Sequence, residues 1–125
     1  MKEEVKKLLE KADHALKVAE ELKEKGHAPD AASKTYYAMF YAAQALLKSE
    51  GIEVIKHSAV ESAVGFHFVK TGRLDAKYHR LLINARKVRE TADYDLDEEI
   101  VETVATLTLE EGKKFVGIIN RLLKK

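Results

Sequence analysis

The 125-residue sequence contains no cysteine and no tryptophan, and it has a single proline. The absence of cysteine excludes disulfides, thiolate catalysis and cysteine-based zinc or iron–sulfur sites. No apolar run approaches the length of a membrane span or a signal-peptide core, which predicts a cytoplasmic protein without a membrane segment. The 22 basic and 21 acidic residues nearly cancel. Binding of nucleic acid or anionic lipid therefore requires a local patch rather than a global field.

The most distinctive stretch of the sequence runs from Asp30 to Glu50 and reads DAASKTYYAMFYAAQALLKSE. Its alanine, leucine, methionine and aromatic side chains cover most of a helical wheel drawn at about 3.6 residues per turn. A single strip stays polar, and it contains Tyr37 and Tyr41 among shorter polar side chains. A helix that is apolar over most of its circumference must be surrounded by other segments. We therefore predict that this helix forms the centre of the fold.

Amphipathic segments on both sides of this stretch predict the helices that surround it. Residues 3–25 and 74–92 carry apolar side chains at three- and four-residue steps. A shorter helix is predicted to begin at His57 or Ser58 and to end near Lys70, before a Thr-Gly stop.

A last helix is predicted after an acidic run, in which Asp95 or Asp97 is the expected N-cap. Its expected core face is formed by Ile100, Val104, Leu107, Phe115, Ile118 and Leu122. No segment alternates with period two for long enough to be a strand, and the connections are short. The prediction is one all-α domain over residues 1–125, an antiparallel bundle of four to five helices.

An arginine lies inside the apolar stripe of the predicted fourth helix. At about 100° per residue, Arg89 lies roughly 20° from Tyr78 and close to Leu82. A buried guanidinium cannot lose its proton and needs carboxylate or carbonyl partners, of which Asp93 and Asp95 are the nearest in sequence. Two interpretations stay open: a structural ion pair between the helix and the following loop, or a contact to a phosphate or RNA backbone in a cleft.

Two further groups of residues are candidates for binding. Tyr37 and Tyr41 are two rings one turn apart, and they either stack on a base, fill an interface or pack against a neighbouring helix. Lys56, His57 and Ser58 combine a cation, a hydroxyl and free backbone N–H groups at a helix start, which is typical of an anion-binding corner. The alternative is that Ser58 simply caps the helix.

Metal and cofactor sites are not predicted. The acidic run fails the EF-hand pattern, because Glu98 stands at the turn-glycine position and Val104 at the position of the bidentate glutamate. The five histidines contain no His-x-x-x-His pair. No glycine-rich phosphate loop, nucleophile elbow or pair of catalytic carboxylates is visible, which argues against a stand-alone metabolic enzyme.

The runs ASKTYYAMFYAAQALLKSEG, KHSAV, FVKTGRLD and VRETADYD, followed by a long final helix, resemble the HEPN domain, specifically the small stand-alone UPF0332 group. The resemblance spans nearly the whole chain. It implies an antiparallel helical bundle, like a nucleotidyltransferase substrate-binding subunit, that often dimerises. It also implies nucleotide or RNA binding and a partner of the minimal nucleotidyltransferase type. Some HEPN proteins are metal-independent ribonuclease toxins that such a partner neutralises.

The ribonuclease motif implied by this resemblance is an arginine followed within a few residues by a histidine. Arg89 matches the arginine, but residues 90–95 read ETADYD and contain no histidine. Asp93 and Tyr94 are poorly matched to act as a general acid or base near neutral pH, because their ordinary pKa values lie far from it. The sequence therefore argues against ribonuclease activity.

The sequence predicts a non-catalytic HEPN-type binding module that needs no cofactor. We expect it to form a homodimer and to pair with a minimal nucleotidyltransferase in a toxin–antitoxin-like system. Nucleotide or RNA is expected to bind around Arg89, Asp93, Tyr94, Tyr37, Tyr41, Lys56, His57 and Ser58. Two alternatives stay open: a degenerate metal-independent ribonuclease that uses Arg89, and a purely structural dimerising subunit.

Overall fold

The computed structural model describes residues 2–54, 56–95 and 100–124. Over these ranges the chain forms five α-helices and no strand, so the predicted all-α bundle is confirmed. A π-helical turn at Gly65–Val69 directly follows the third helix. The helices are α1 (Glu3–Glu24), α2 (Ala28–Ser49), α3 (His57–Val64), α4 (Ala76–Tyr94) and α5 (Glu102–Leu123).

The central position of α2 follows from its apolar surface. Met39, Leu46 and Leu47 on this helix are completely or almost completely buried, as are its alanines in the middle turns. Burying each large side chain contributes about 1.5–3 kcal/mol. The helix packs against all four of the others, α1, α3, α4 and α5. The predicted central helix is therefore confirmed.

The direction of each helix can be read from contacts at its ends. The Lys48 Nζ atom at the end of α2 lies 2.7 Å from a carboxylate oxygen of Glu4 at the start of α1. The Ser33 hydroxyl near the start of α2 donates to Asp93 near the end of α4, at 3.5 Å. Both α1 and α4 are thus antiparallel to α2. The start of α5 packs on the start of α2 through Ala105, so these two helices run parallel.

The predicted core face of α5 is confirmed at Ile100, Phe115, Ile118 and Leu122, which are buried or pack against the core, and it is wrong at Val104 and Leu107. Val104 is 37% exposed and Leu107 is 56% exposed. The buried side of the helix also includes Ala105 and Gly112, where no large side chain separates α5 from its neighbours. A Cβ atom added at Gly112 would lie 2.4 Å from the Thr35 Cγ2 atom on α2. The pattern of large apolar residues missed this, because a glycine contributes no hydrophobic signal.

The predicted capping of α5 by Asp95 is also wrong. Asp95 is instead the C-cap residue of α4. The N-cap residue of α5 is Val101, and it makes no side-chain capping hydrogen bond. Asp97, Glu98 and Glu99, which were expected to begin this helix, lie outside the described residues.

None of the described helices is both long enough and apolar enough to cross a membrane. The cytoplasmic location stays a prediction from the sequence.

Candidate functional site

The Arg89 side chain of α4 is enclosed by aromatic rings. It is only 9% exposed. Its Cζ atom lies 5.3 Å from the ring centroid of Tyr36, 5.7 Å from that of Tyr37 and 5.8 Å from that of Tyr94. A cation within about 6 Å of an aromatic face is attracted to the ring, and more strongly when it is desolvated. These rings therefore form a favourable enclosure for the guanidinium.

The charge of Arg89 is only partly compensated. One guanidinium nitrogen, Nη1, donates to the Asp93 carboxylate over a long 3.3 Å contact, and that carboxylate is 32% exposed to solvent. The Nε atom of Arg89 is buried and has no hydrogen-bond partner among the described residues. Burial opposes the charge, but hydrogen bonding with Tyr94 and the proximity of Tyr37 and Asp93 outweigh it and raise the pKa of Arg89 above its ordinary value. Arg89 therefore stays positively charged, and Asp93 brings the formal charge of the pair to zero through a long and partly solvated contact.

His57, the first residue of α3, packs against the same tyrosines. Its ring centroid lies 4.2 Å from that of Phe40, 5.4 Å from that of Tyr36 and 5.7 Å from that of Tyr37. Burial, followed by the positive charge of Arg89, lowers the pKa of His57 below its ordinary value, and Glu61 only partly opposes the shift. The imidazole is therefore neutral over most of the physiological range and is able to accept a proton.

Tyr36 is the member of the site that sequence reasoning missed. Its hydroxyl is fully buried and has no hydrogen-bond partner in the described part of the chain. Burial, together with the negative charge of Glu61, raises the pKa of Tyr36 to about 12. A buried polar group without a partner destabilises a fold by about 1–3 kcal/mol. Two such groups, the Tyr36 hydroxyl and the Arg89 Nε atom, belong to side chains in contact with each other, and neither has a partner among the described residues.

A second polar contact, also missed from the sequence, holds α3 against α4. Glu61 is 8% exposed and accepts a hydrogen bond of 2.6 Å from the Nε atom of Arg86. Arg86 also donates to Glu90. Glu61 lies one turn after His57 and Arg86 one turn before Arg89, so this ion pair fixes the two helices that carry the imidazole and the guanidinium. The sequence carried a signal for this ion pair, because Glu61 lies at helical spacing from His57 and Arg86 lies at helical spacing from Arg89.

The remaining predicted site residues lie apart from these contacts. The Tyr41 ring is covered by the Lys11 Nζ atom of α1, at 4.5 Å from the ring centroid. Lys56 and Ser58 are exposed on either side of His57. Lys56 is the N-cap residue of α3 and makes no side-chain capping bond. The alternative that Ser58 caps this helix is therefore wrong.

The fold thus brings together residues from three helices. We call this set the Arg89 cluster; it consists of Tyr36, Tyr37, His57, Arg89, Asp93 and Tyr94. Within the ranges that the structure describes, no three histidine or carboxylate side chains converge in a way that would hold a metal ion. The donors that the Arg89 cluster offers, a guanidinium and phenolic hydroxyls, suit a phosphate or another oxyanion.

Comparison with known proteins places the chain in a family. The model of the HEPN domain matches residues 5–125. The chain belongs to the HEPN domain family. This HEPN chain is 36% identical over 122 residues to the protein named "Putative toxin MJ0142" of Methanocaldococcus jannaschii, covering 98% of this chain and 83% of the relative.

Two further relatives also match most of this HEPN chain. "Putative toxin MJ0605" of the same organism is 32% identical over 125 residues, covering 100% of this chain and 92% of the relative. "UPF0332 protein PH1297" of Pyrococcus horikoshii is 34% identical over 105 residues, covering 84% of this chain and 74% of the relative. The resemblance to the UPF0332 group is therefore confirmed.

Proposed function

We propose that this HEPN protein binds nucleotide or RNA through a phosphate at the Arg89 cluster. The observation that carries the proposal is the buried Arg89 guanidinium, for which Asp93, at a long 3.3 Å, is the one ion-pair partner among the described residues. A phosphate accepts hydrogen bonds from a guanidinium in a strong, charge-assisted geometry.

The aromatic rings of the Arg89 cluster support a nucleotide rather than a bare phosphate as the ligand. Tyr94 is 72% exposed and lies against the guanidinium, so one face of its ring is free for a base. Stacking of a base on an aromatic side chain is worth about 1–3 kcal/mol and tolerates any base. We therefore expect binding of single-stranded RNA or nucleotides with little sequence preference.

The names of the relatives support a role in a toxin–antitoxin pair. Two relatives that align with nearly the whole chain are named as toxins. We propose that this protein is the toxin-type subunit, that it forms a homodimer, and that its partner is a nucleotidyltransferase-type protein, as the HEPN resemblance implies. Co-purification of the two proteins, and loss of growth inhibition when the partner is present, would test this pairing.

The binding proposal is tested by fluorescence anisotropy with a labelled single-stranded RNA. Arg89→Gln keeps part of the side-chain stem but removes the charge, so the dissociation constant should rise about tenfold or more. Arg80→Gln is the matched control, because Arg80 is an exposed arginine on the same helix. A wild-type protein that does not bind RNA or nucleotide, or two variants that weaken binding equally, would contradict the proposal.

A second candidate function, a metal-independent ribonuclease, is favoured by the position of His57. The motif position after Arg89 lacks a histidine, but α3 supplies an imidazole that contacts the same Tyr36 and Tyr37 rings. A neutral His57 could take the proton of a ribose 2′-hydroxyl while that oxygen attacks the phosphorus. The bond to the 5′-oxygen then breaks, water protonates the leaving oxygen, and the products are a 2′,3′-cyclic phosphate and a 5′-hydroxyl.

This candidate is tested by incubating the protein with mixed-sequence RNA in the presence of EDTA. Cleavage by the wild-type protein should be lost in His57→Gln, while RNA binding measured by anisotropy changes by less than about threefold. His14→Gln, at an exposed position on α1, is the control. RNA that stays intact with wild-type protein would remove the ribonuclease but leave the binding proposal standing.

A further inference from the structure

The middle of α2 leaves one strip of the helix uncovered. Every one of residues 35–47 is buried except Tyr37, Tyr41 and Gln44, which are partly exposed. These three positions are spaced four and three residues apart, so they follow one line along the helix. The strip begins at Tyr37, which belongs to the Arg89 cluster. It therefore leads away from the cluster along the surface of the bundle.

The helix α1 forms one border of this strip. The Lys11 Nζ atom of α1 lies 4.5 Å from the ring centroid of Tyr41. Lys11 makes no ion pair with any other described residue. Its ammonium group is thus held beside the strip by an aromatic ring, without a carboxylate that neutralises it. Such a lysine can pair with the phosphate of a ligand that lies on the strip.

The connection between α2 and α3 forms the other border. Next to the cluster, the His57 ring lies 5.7 Å from that of Tyr37. Further along, a cavity of about 280 Å³ opens between this connection, α1 and Gln44. We call the whole depression the α2 groove; it starts at Tyr37 and is lined by Leu8, Lys11, Tyr41, Gln44, Ile52 and Val54.

The far end of the α2 groove is closed by charge. The Lys48 Nζ atom lies 2.7 Å from a carboxylate oxygen of Glu4 and 3.2 Å from one of Glu53. Two carboxylates share one ammonium group there, so this end disfavours a phosphate backbone. The helical rise places Tyr37 and Gln44 about 10 Å apart along the axis. Because stacked nucleotides are about 3.4 Å apart, the groove has room for about three of them.

Each part of the α2 groove suits a different part of an RNA strand. The Lys11 ammonium suits a phosphate further along the strand than the one at Arg89. In the cavity, the apolar side chains of Ile52 and Val54 suit the faces of a base. The Gln44 amide has both donors and an acceptor, so it can bond to the edge of any base.

We propose that the α2 groove extends the nucleotide site of the Arg89 cluster, so that the ligand is a single RNA strand of about three nucleotides rather than a mononucleotide. The inference rests on the proposed binding function and specifies its ligand. Arg89 binds one phosphate, Lys11 binds another, and the cavity beside Gln44 receives the last base.

The length of the bound strand is tested by isothermal titration calorimetry with AMP and with adenylate strands of two, three and six nucleotides. The dissociation constant should fall about tenfold or more between AMP and the strand of three. It should then fall by less than about fivefold up to six, a gain that several binding registers alone provide. Equal affinity for AMP and the strand of three, or a continued steep gain up to six, would overturn the inference.

The path of the strand is tested by Lys11→Gln. This variant should raise the dissociation constant of the strand of three about threefold or more and leave that of AMP unchanged. It should also reduce the slope of log affinity against log salt by about 0.7, the value for one phosphate contact of a single strand. Lys17→Gln is the matched control, because Lys17 is an exposed lysine of α1 that lies about 120° around the helix from Lys11. Equal effects of the two variants would contradict the groove.

The cavity is tested by Gln44→Leu, which keeps the size of the side chain and removes its amide. Binding of the strand of three should weaken about threefold or more, while binding of AMP and of the strand of two changes by less than about twofold. Unchanged binding of the strand of three would overturn the placement of the last base.

The groove and the proposed function fail in different ways. Arg89→Gln should weaken the binding of AMP and of the strand of three alike. Wild-type protein that binds AMP through Arg89 but gains nothing from longer strands would refute the groove and leave the proposed function standing. Wild-type protein that binds neither AMP nor any of the strands would refute both.

Discussion

Arg89 is buried but only incompletely paired, and both properties determine how much stability the protein loses when this arginine is replaced. A fully buried ion pair that loses one partner destabilises a protein by about 3–5 kcal/mol. Asp93 is partly exposed and makes only a long contact, so water can solvate it when the arginine is removed. Replacing Arg89 therefore removes chiefly the attraction between the guanidinium and the tyrosine rings.

We predict that Arg89→Ala lowers the free energy of unfolding by about 1–2 kcal/mol. Asp93→Asn should lower it by less than about 1 kcal/mol, because the pair is partly exposed. Urea denaturation followed by circular dichroism measures both values. A loss of about 3 kcal/mol or more for Arg89→Ala, with RNA binding unchanged, would mean that this arginine is purely structural.

His57 makes the stability of the protein depend on pH. Its pKa in the folded protein lies below the ordinary value of 6.5, so the unfolded chain binds more protons near and below that value. Stability therefore falls as the pH falls through 6.5 towards the folded pKa. Thermal unfolding of wild-type protein should show this loss between about pH 7.5 and pH 5.5, and His57→Phe should show a smaller one. An unchanged slope in the variant would contradict the burial of this imidazole.

For single residues, sequence reasoning found some members of the site and missed others, and the physical reason differs from one residue to the next. Arg89 could be found because a charge inside an apolar stripe violates the helical pattern. Tyr36 could not, because its ring follows that pattern and only its hydroxyl is left without a partner. Tyr41 occupies the same polar strip as Tyr37, but contact with Lys11 of α1 separates it from the cluster.

At the scale of helices, the contact between α2 and α5 depends on a missing side chain. A Cβ atom at Gly112 would meet Thr35 at 2.4 Å, whereas one at Gly117 would meet nothing within 4 Å. Gly112→Ala should therefore lower the free energy of unfolding by about 1–3 kcal/mol through overpacking. The two glycines provide a matched comparison on one helix.

Gly117→Ala should raise the free energy of unfolding by up to about 1 kcal/mol, since alanine is the better helix former. Urea denaturation followed by circular dichroism measures both variants against the wild-type protein. Equal effects of the two substitutions would contradict the described rotation of α5. The exposure of Val104 and Leu107 was beyond the sequence pattern, because large apolar residues lie on both sides of the first turns of this helix.

For the whole molecule, the all-α bundle could be predicted because α2 is apolar on nearly every side and has to be surrounded. The site could be predicted only in pieces. His57 and Arg89 are far apart in sequence, and helical periodicity relates residues only within one helix. The Glu61–Arg86 ion pair and the shared tyrosine rings bring the two together, and neither contact has a signal that spans α3 and α4.

The most direct test of the Arg89 cluster as a binding site is an amide NMR titration of the purified protein, first with ATP and then with a short mixed-sequence RNA. Binding at the cluster predicts chemical-shift changes concentrated at Tyr36, Tyr37, His57 and residues 89–94, and their loss in Arg89→Gln. The absence of shifts with both ligands, or shifts confined to residues elsewhere in the bundle, would contradict it.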